Sequence, residues 1–135
     1  MYHHDTQIRV RYAETDQMGY VYYGNYATYF EVARVEAFRH LGYPYKKMEE
    51  EGVGMPVLEY QIKYLQPAKY DDLLTIKLAI PEMPKARIRF TYEVTNQHGA
   101  LINTGETTLV FMNMETGKAT RIPAEVNKLL KTYFD

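Results

Sequence analysis

A single stretch of helical period, followed only by alternating segments, limits what this chain can fold into. Between Asn25 and Leu41 the residues Tyr26, Tyr29, Phe30, Ala33, Ala37, Phe38 and Leu41 recur at helical spacing on one broad face. Glu31, Arg34 and Arg39 fall mostly elsewhere on the wheel, Asn25 reads as the N-cap, and Gly42 with Pro44 ends the run. A short helical piece from Tyr45 to Glu51 follows, broken by Gly52 and Gly54. Beyond it the period is two. Leu58, Tyr60, Ile62 and Tyr64 face one way, and Leu74, Ile76, Leu78 and Ile80 make a second strand closed by Pro81 and Pro84. Ile88, Phe90, Tyr92 and Val94 make a third, and a turn at Asn96–Gly99 leads into a long last strand from Leu101 to Met114. Gly105 inside that strand marks a bulge or a close backbone approach. Pro123 opens a short C-terminal helix through Leu130.

Ahead of the long helix, Ile8, Val10 and Tyr12 alternate with Arg9 and Arg11 as a short strand with one buried face. Residues 13–24 have no period and read as a loop. The order is strand, long helix, then four strands joined by short turns. That is an α+β pattern: one domain over residues 1–135, with an antiparallel sheet of about five strands against one main helix.

Composition removes whole classes of function. A net charge of −1 argues against a nucleic-acid partner, which a basic stripe would serve. No apolar run approaches a membrane span, and Met1-Tyr2-His3-His4-Asp5 lacks the shape of a signal peptide, so a cytoplasmic location is the default. There is no Cys, hence no disulfide and no thiolate metal site. There is no Ser either. A hydrolase built on this chain must use a carboxylate, a histidine or a directed water rather than a Ser or Cys nucleophile. The histidines His3, His4, His40 and His98 show no helical metal-ligand pairing, and the His3-His4-Asp5 segment reads as a frayed terminus. No metal and no cofactor are expected.

The segment from Tyr12 to Tyr26 sets Asp16 in an irregular, Tyr-rich loop just before a helix N-terminus. Free N–H groups at such an end carry partial positive charge, and would polarise a carbonyl and stabilise a tetrahedral oxyanion. A carboxylate beside such donors is the minimum kit for acyl transfer without Ser or Cys. A loop Asp in this place also serves as a turn or capping residue. Glu14 is a second carboxylate of the same loop, and residue type alone does not separate the two.

The segment also carries Arg11-Tyr12, Glu14-Thr15-Asp16, Gly19, Val21-Tyr22, Asn25-Tyr26, Phe30-Glu31, Ala33-Arg34 and Glu36 in order. Gly52-Val53-Gly54, Pro56-Val57, Tyr64, Pro67-Ala68 and Tyr70-Asp71-Asp72-Leu73-Leu74 follow. This set, from about Ile8 to Pro123, resembles the 4-hydroxybenzoyl-CoA thioesterase family, and especially its branch of short-chain acyl-CoA thioesterases associated with the Tol-Pal cell-envelope system. The resemblance implies a hotdog fold, in which the sheet wraps the long helix. It implies hydrolysis of acyl-CoA by a homodimer or homotetramer with active sites at the subunit interface. Asp16 would be nucleophile or general base, and the backbone N–H of Tyr23 would polarise the thioester carbonyl. Many such relatives have His where this chain has Tyr23, a change a backbone role survives. The basic residues Lys85, Arg87 and Arg89 of the 84–89 segment are the candidates for coenzyme A phosphates. Two rivals remain. A hotdog dehydratase or hydratase would need a His that the loop and early helix lack. A non-catalytic acyl-CoA sensor or scaffold would keep the pocket without the chemistry.

Overall fold

Along the chain, the computed structural model, which describes all 135 residues, runs as follows. β1 (Tyr2–Arg9) leads through a 3-10 turn (Tyr12–Glu14) to α1 (Asn25–Leu41) and α2 (Tyr45–Glu50). Then come β2 (Val53–Gly54), β3 (Val57–Tyr64), β4 (Leu73–Ile80), β5 (Arg87–Thr95), β6 (Leu101–Val110), β7 (Met112–Asn113) and α3 (Ala124–Lys131). Five strands form one antiparallel sheet in the order β1-β4-β5-β6-β3, while β2 and β7 pair as a small separate ribbon.

The sheet bends around α1, whose expected face is the core. Tyr26, Tyr29, Phe30, Ala33, Ala37, Phe38 and Leu41 are all buried against the inner residues of β4 and β5. Phe30 lies flat on Tyr92 with ring centroids 4.0 Å apart, and the backbone of Gly105 passes directly beneath it. A Cβ at Gly105 would stand 2.6 Å from Phe30 Cε2, so the glycine marks a close approach; its pairing with Ile62 and Tyr92 is unbroken. Gly42 takes φ 103°, and its N–H bonds back to Phe38 and Arg39, which stops the helix as expected.

Four local expectations are corrected. The first strand runs from Tyr2 to Arg9 rather than from Ile8 to Tyr12. The terminus is therefore not frayed: Tyr2 is buried, and its hydroxyl donates to Ala37 O at 2.8 Å. Tyr12 instead stands 74% exposed, stacked on Tyr70 at 3.8 Å. Asn25 is the first helical residue and not the cap; Gly24 holds the cap position, and Asn25 Nδ2 donates to Glu14 O at 2.8 Å. Arg34 is buried rather than outward, with Nη1 donating to Tyr92 Oη at 3.0 Å. The long last strand is broken after Val110, because Phe111 turns into the core and its N–H leaves the ladder for Ala86 O.

The helix lies toward β1 and β4. β3, at the opposite edge, keeps its inner face largely bare, with Leu58, Tyr60 and Tyr64 all exposed.

Candidate active site

The loop that carries Asp16 is a small closed hairpin. Thr15 bridges to Val21 and Tyr20 to Lys69, while Asp16 N–H donates to Tyr20 O at 2.7 Å. Gly19, at φ 79°, supplies the left-handed turn residue. Asp16 Oδ1 accepts from the N–H groups of Met18 at 2.9 Å and Tyr20 at 3.1 Å. Its Oδ2 has no partner in the protein. The turn-residue reading and the chemical reading of Asp16 are thus compatible, because they use different oxygens.

Glu14 sits in another environment. It is nearly buried, and Oε1 accepts from Arg11 N–H and from the Tyr29 hydroxyl, both at 2.9 Å. Oε2 accepts from Arg11 Nη2 at 3.1 Å. Its backbone oxygen takes the N–H of Tyr22 at 2.8 Å. Burial alone would raise the Glu14 pKa, but the hydrogen bonds from Arg11 and Tyr29 outweigh it and hold the carboxyl below the usual glutamate range. Glu14 therefore bolts the loop to α1 and is absent from the cavity lining. Asp16 is the carboxylate that faces open space.

That space is a cavity of about 340 Å³ bordered by Asp16, Tyr20, Tyr23, Tyr26, Tyr64 and Leu65. At its helix side stands Tyr23, whose N–H, like that of the following Gly24, finds no acceptor in the protein, although Tyr22 N–H and Asn25 N–H on either side are bonded. They precede the 17 residues of α1, at the end where the helix field favours negative charge. Burial pushes the Tyr26 phenol up to about 12, so its hydroxyl stays protonated at neutral pH.

The basic residues divide. Arg89 is committed to two carboxylates: Nε and Nη2 reach Glu82 at 2.8 and 3.0 Å, and Nη1 reaches Glu106 at 2.9 Å. These acids raise its pKa above the ordinary arginine value. Lys85 and Arg87 are exposed and make no ion pair, and the Ile122 N–H bond to Lys85 O brings exposed Arg121 alongside. This cluster lies at the start of β3, where Arg87 pairs Val110 and Val57 pairs Leu109. Asp16 lies at the other end of β3, beside Tyr64. Within the chain the two parts do not meet.

The family model described as the thioesterase-like superfamily matches residues 10–130. The chain belongs to this superfamily. It is 30% identical over 119 residues to the acyl-CoA thioester hydrolase YbgC of Escherichia coli, covering 88% of this chain and 89% of that one. The DHNA-CoA thioesterase of Staphylococcus aureus superposes with a TM-score of 0.86 at 36% identity, over 99% of this chain and 85% of that one. A variant of 4-hydroxybenzoyl-CoA thioesterase in complex with 4-hydroxybenzoyl-CoA superposes with a TM-score of 0.85 at 25% identity, over 96% and 99% of the two chains. The fold is the hotdog of these thioesterases.

For this thioesterase the sequence reading put forward Asp16 and Tyr23, which border the same cavity, but missed the part Glu14 plays. The available signal was the Arg11–Glu14 spacing of three residues, which spans one turn and lets the Glu14 carboxylate accept from the Arg11 N–H and guanidinium. Tyr64 stood out only as part of the family resemblance and Leu65 not at all, since only the folded sheet brings the end of β3 to Asp16. No cluster of three or more His, Cys, Asp or Glu stands where it could hold a metal ion, and no helix is long and apolar enough to cross a membrane.

Proposed function

We propose that this thioesterase hydrolyses acyl-CoA thioesters with Asp16 as its catalytic carboxylate and the N–H of Tyr23 as its oxyanion donor, assisted by that of Gly24. One observation carries the reading: an unpartnered carboxylate oxygen of Asp16 and the unpartnered N–H of Tyr23, next to the helix start, belong to residues bordering one cavity. A thioester carbonyl docked on the amides is polarised, and the negative charge that develops on its oxygen stays there. Asp16 Oδ2 then acts in one of two ways. As a base it takes a proton from the attacking water; the tetrahedral intermediate expels the CoA thiolate, which leaves as the thiol with that proton. As a nucleophile it forms a mixed anhydride and releases the thiolate, and water cleaves the anhydride to free acid. Both routes need no Ser and no Cys, and the chain has neither.

Lys85 and Arg87 are the free cations for the CoA phosphates. Their separation from Asp16 supports a dimer joined through the β3 edges, in which the cations of one copy serve the carboxylate of the other. An exposed edge strand with bare Tyr60 and Tyr64 suits such pairing. A CoA substrate supports a cytoplasmic location.

The test is thiol release from a panel of acyl-CoAs, with Asp16→Asn beside the wild type. The substitution is expected to lower kcat by roughly 10²- to 10⁴-fold with the fold unchanged. Near-full turnover by Asp16→Asn would remove Asp16 from the mechanism. Binding without turnover by the wild type would establish the sensor instead.

A further inference from the structure

α1 begins without a side-chain cap. Gly24 holds the position from which Ser, Thr, Asp or Asn would fold a side-chain oxygen back onto the first amides, and glycine has none to offer. The N–H groups of Tyr23 and Gly24 stay open. Asn25, a residue type well suited to capping, comes one place later and works in the opposite sense. Its Nδ2 donates backward, to Glu14 O at 2.8 Å, and so satisfies none of the helix's own amides.

The bond acts instead on the turn before the helix. Glu14 O accepts twice, from Asn25 Nδ2 and from Tyr22 N–H, both at 2.8 Å. Asn25 N–H closes the turn onto Tyr22 O at 2.9 Å. Both ends of the turn are thus tied to one carbonyl oxygen, and only the two amides between them are free. That oxygen is itself held, because Glu14 Oε1 accepts from the Tyr29 hydroxyl and from Arg11 N–H, both at 2.9 Å. Asn25 and Tyr29 stand four residues apart, on one face of α1. One helical turn therefore grips Glu14 at two points, Asn25 at the backbone and Tyr29 at the carboxylate. Glu14 lies two residues before Asp16, so the grip joins the strand that carries the carboxylate to the turn that carries the amides.

Resting on the thioester reading above, we propose that Asn25 is a positioning residue for the oxyanion donors: its carboxamide, through Glu14 O, fixes the turn so that the Tyr23 and Gly24 N–H groups keep their aim. Asn25 touches no substrate. Without its bond the turn keeps only the Tyr22 tie to Glu14, and the free amides between Tyr22 and Asn25 can swing. A donor displaced by about 1 Å loses roughly 10²-fold in rate. The duty of Asn25 is therefore read in the chemical step and not in the helix.

The experiment substitutes Asn25→Leu, close to Asn in shape, and separately Asn25→Ala, and follows thiol release from acetyl-, hexanoyl- and benzoyl-CoA. Both substitutes are better helix formers than Asn, and Glu14 O keeps its bond from Tyr22, so neither weakens α1 or strands a polar group. Folding is checked by thermal melting, and one folded variant is sufficient; failure of both to fold would make Asn25 a residue of the fold and overturn the proposal. On whichever acyl-CoA the wild type cleaves, kcat is expected to fall by about 10- to 100-fold while KM stays within about threefold. The second readout is the thioester carbonyl itself. The same acyl-CoA, isotope-labelled at that carbon, is bound to the slow Asp16→Asn chain, and its infrared stretch is expected to lie below the value in water. With Asn25→Leu or Asn25→Ala added, the stretch is expected to return toward the value in water. An unchanged kcat, a loss confined to KM, or a stretch that stays low would overturn the proposal. Asp16-dependent turnover that ignores Asn25 leaves the parent reading standing, whereas a wild type that cleaves none of the three acyl-CoAs removes both.

Discussion

β1 and β3 are the two edges of the same sheet, each eight residues long, yet they meet opposite fates. β1 is sealed. Tyr2 is 1% exposed, with its ring edge-on to Tyr133 at 4.8 Å and its hydroxyl on Ala37 O and His40 Nδ1, while the terminal ammonium donates to Tyr133 O at 2.7 Å. β3 is bare, with Tyr60 38% and Tyr64 49% exposed on the face that ought to be inner. The difference lies in what reaches each edge. α1 leans toward β1, and the C-terminal residues close over it, so nothing of the chain itself remains to cover β3. A bare apolar edge in a protein of this kind is a place for another molecule.

The largest effect that would test this contrast is on stability. Tyr2→Ala is expected to cost about 3–5 kcal/mol in urea unfolding, as for other buried aromatic truncations. Tyr60→Lys on β3 is expected to stay within about 1 kcal/mol for the isolated chain, while the proposed β3-edge dimer is lost in sedimentation. Equal destabilisation by the two would break the comparison. A smaller effect concerns the loop beside β3. The depressed pKa of Glu14 contributes stability that is present above about 4.5 and lost as pH falls through the folded value. In Glu14→Gln this acid-side decline in melting temperature should flatten. The smallest effect returns to β1, where the His4 and His40 rings lie 4.6 Å apart. Burial and then the neighbouring His40 lower the His4 pKa, against the opposing pull of Asp5 and Glu36. A lowered histidine pKa gives stability that is full above 6.5 and lost as pH falls through the folded value. Melting of the wild type from pH 7 to pH 5 should show this decline, and His4→Gln should reduce it.

The sequence discloses the contrast only in part. Where an element faces the core along one side, its period is plain: the α1 stripe and the inner residues of β4 and β5 lie where the spacing puts them. β1 escaped because polar His4 and Thr6 share its inner side with Tyr2 and Ile8, which hides the alternation. Arg34 escaped because its burial depends on Tyr92, a partner 58 residues away. The site follows the same rule. Asp16 and the helix start are neighbours in sequence and could be read together. The choice between Asp16 and Glu14 rests on Tyr29, and the loss of Arg89 to Glu82 and Glu106 rests on contacts that spacing does not carry. The bareness of β3 is a fact about where α1 lies, so no pattern within β3 announces it.

The Asx turn at Asp16 divides the carboxylate into two unequal halves. Oδ1 is a building part, bonded to Met18 and Tyr20, and Oδ2 is the part to which the proposed mechanism gives the work. An amide can inherit the first duty but not the second, since its carbonyl accepts as Oδ1 does while its NH₂ cannot take up a proton or attack a carbonyl. Asn at this position should therefore yield a folded, substrate-binding and silent enzyme. Ala would unfasten the turn as well, and Glu would carry the working oxygen away from the amides. The position thus tolerates few residues for reasons that belong half to architecture and half to chemistry.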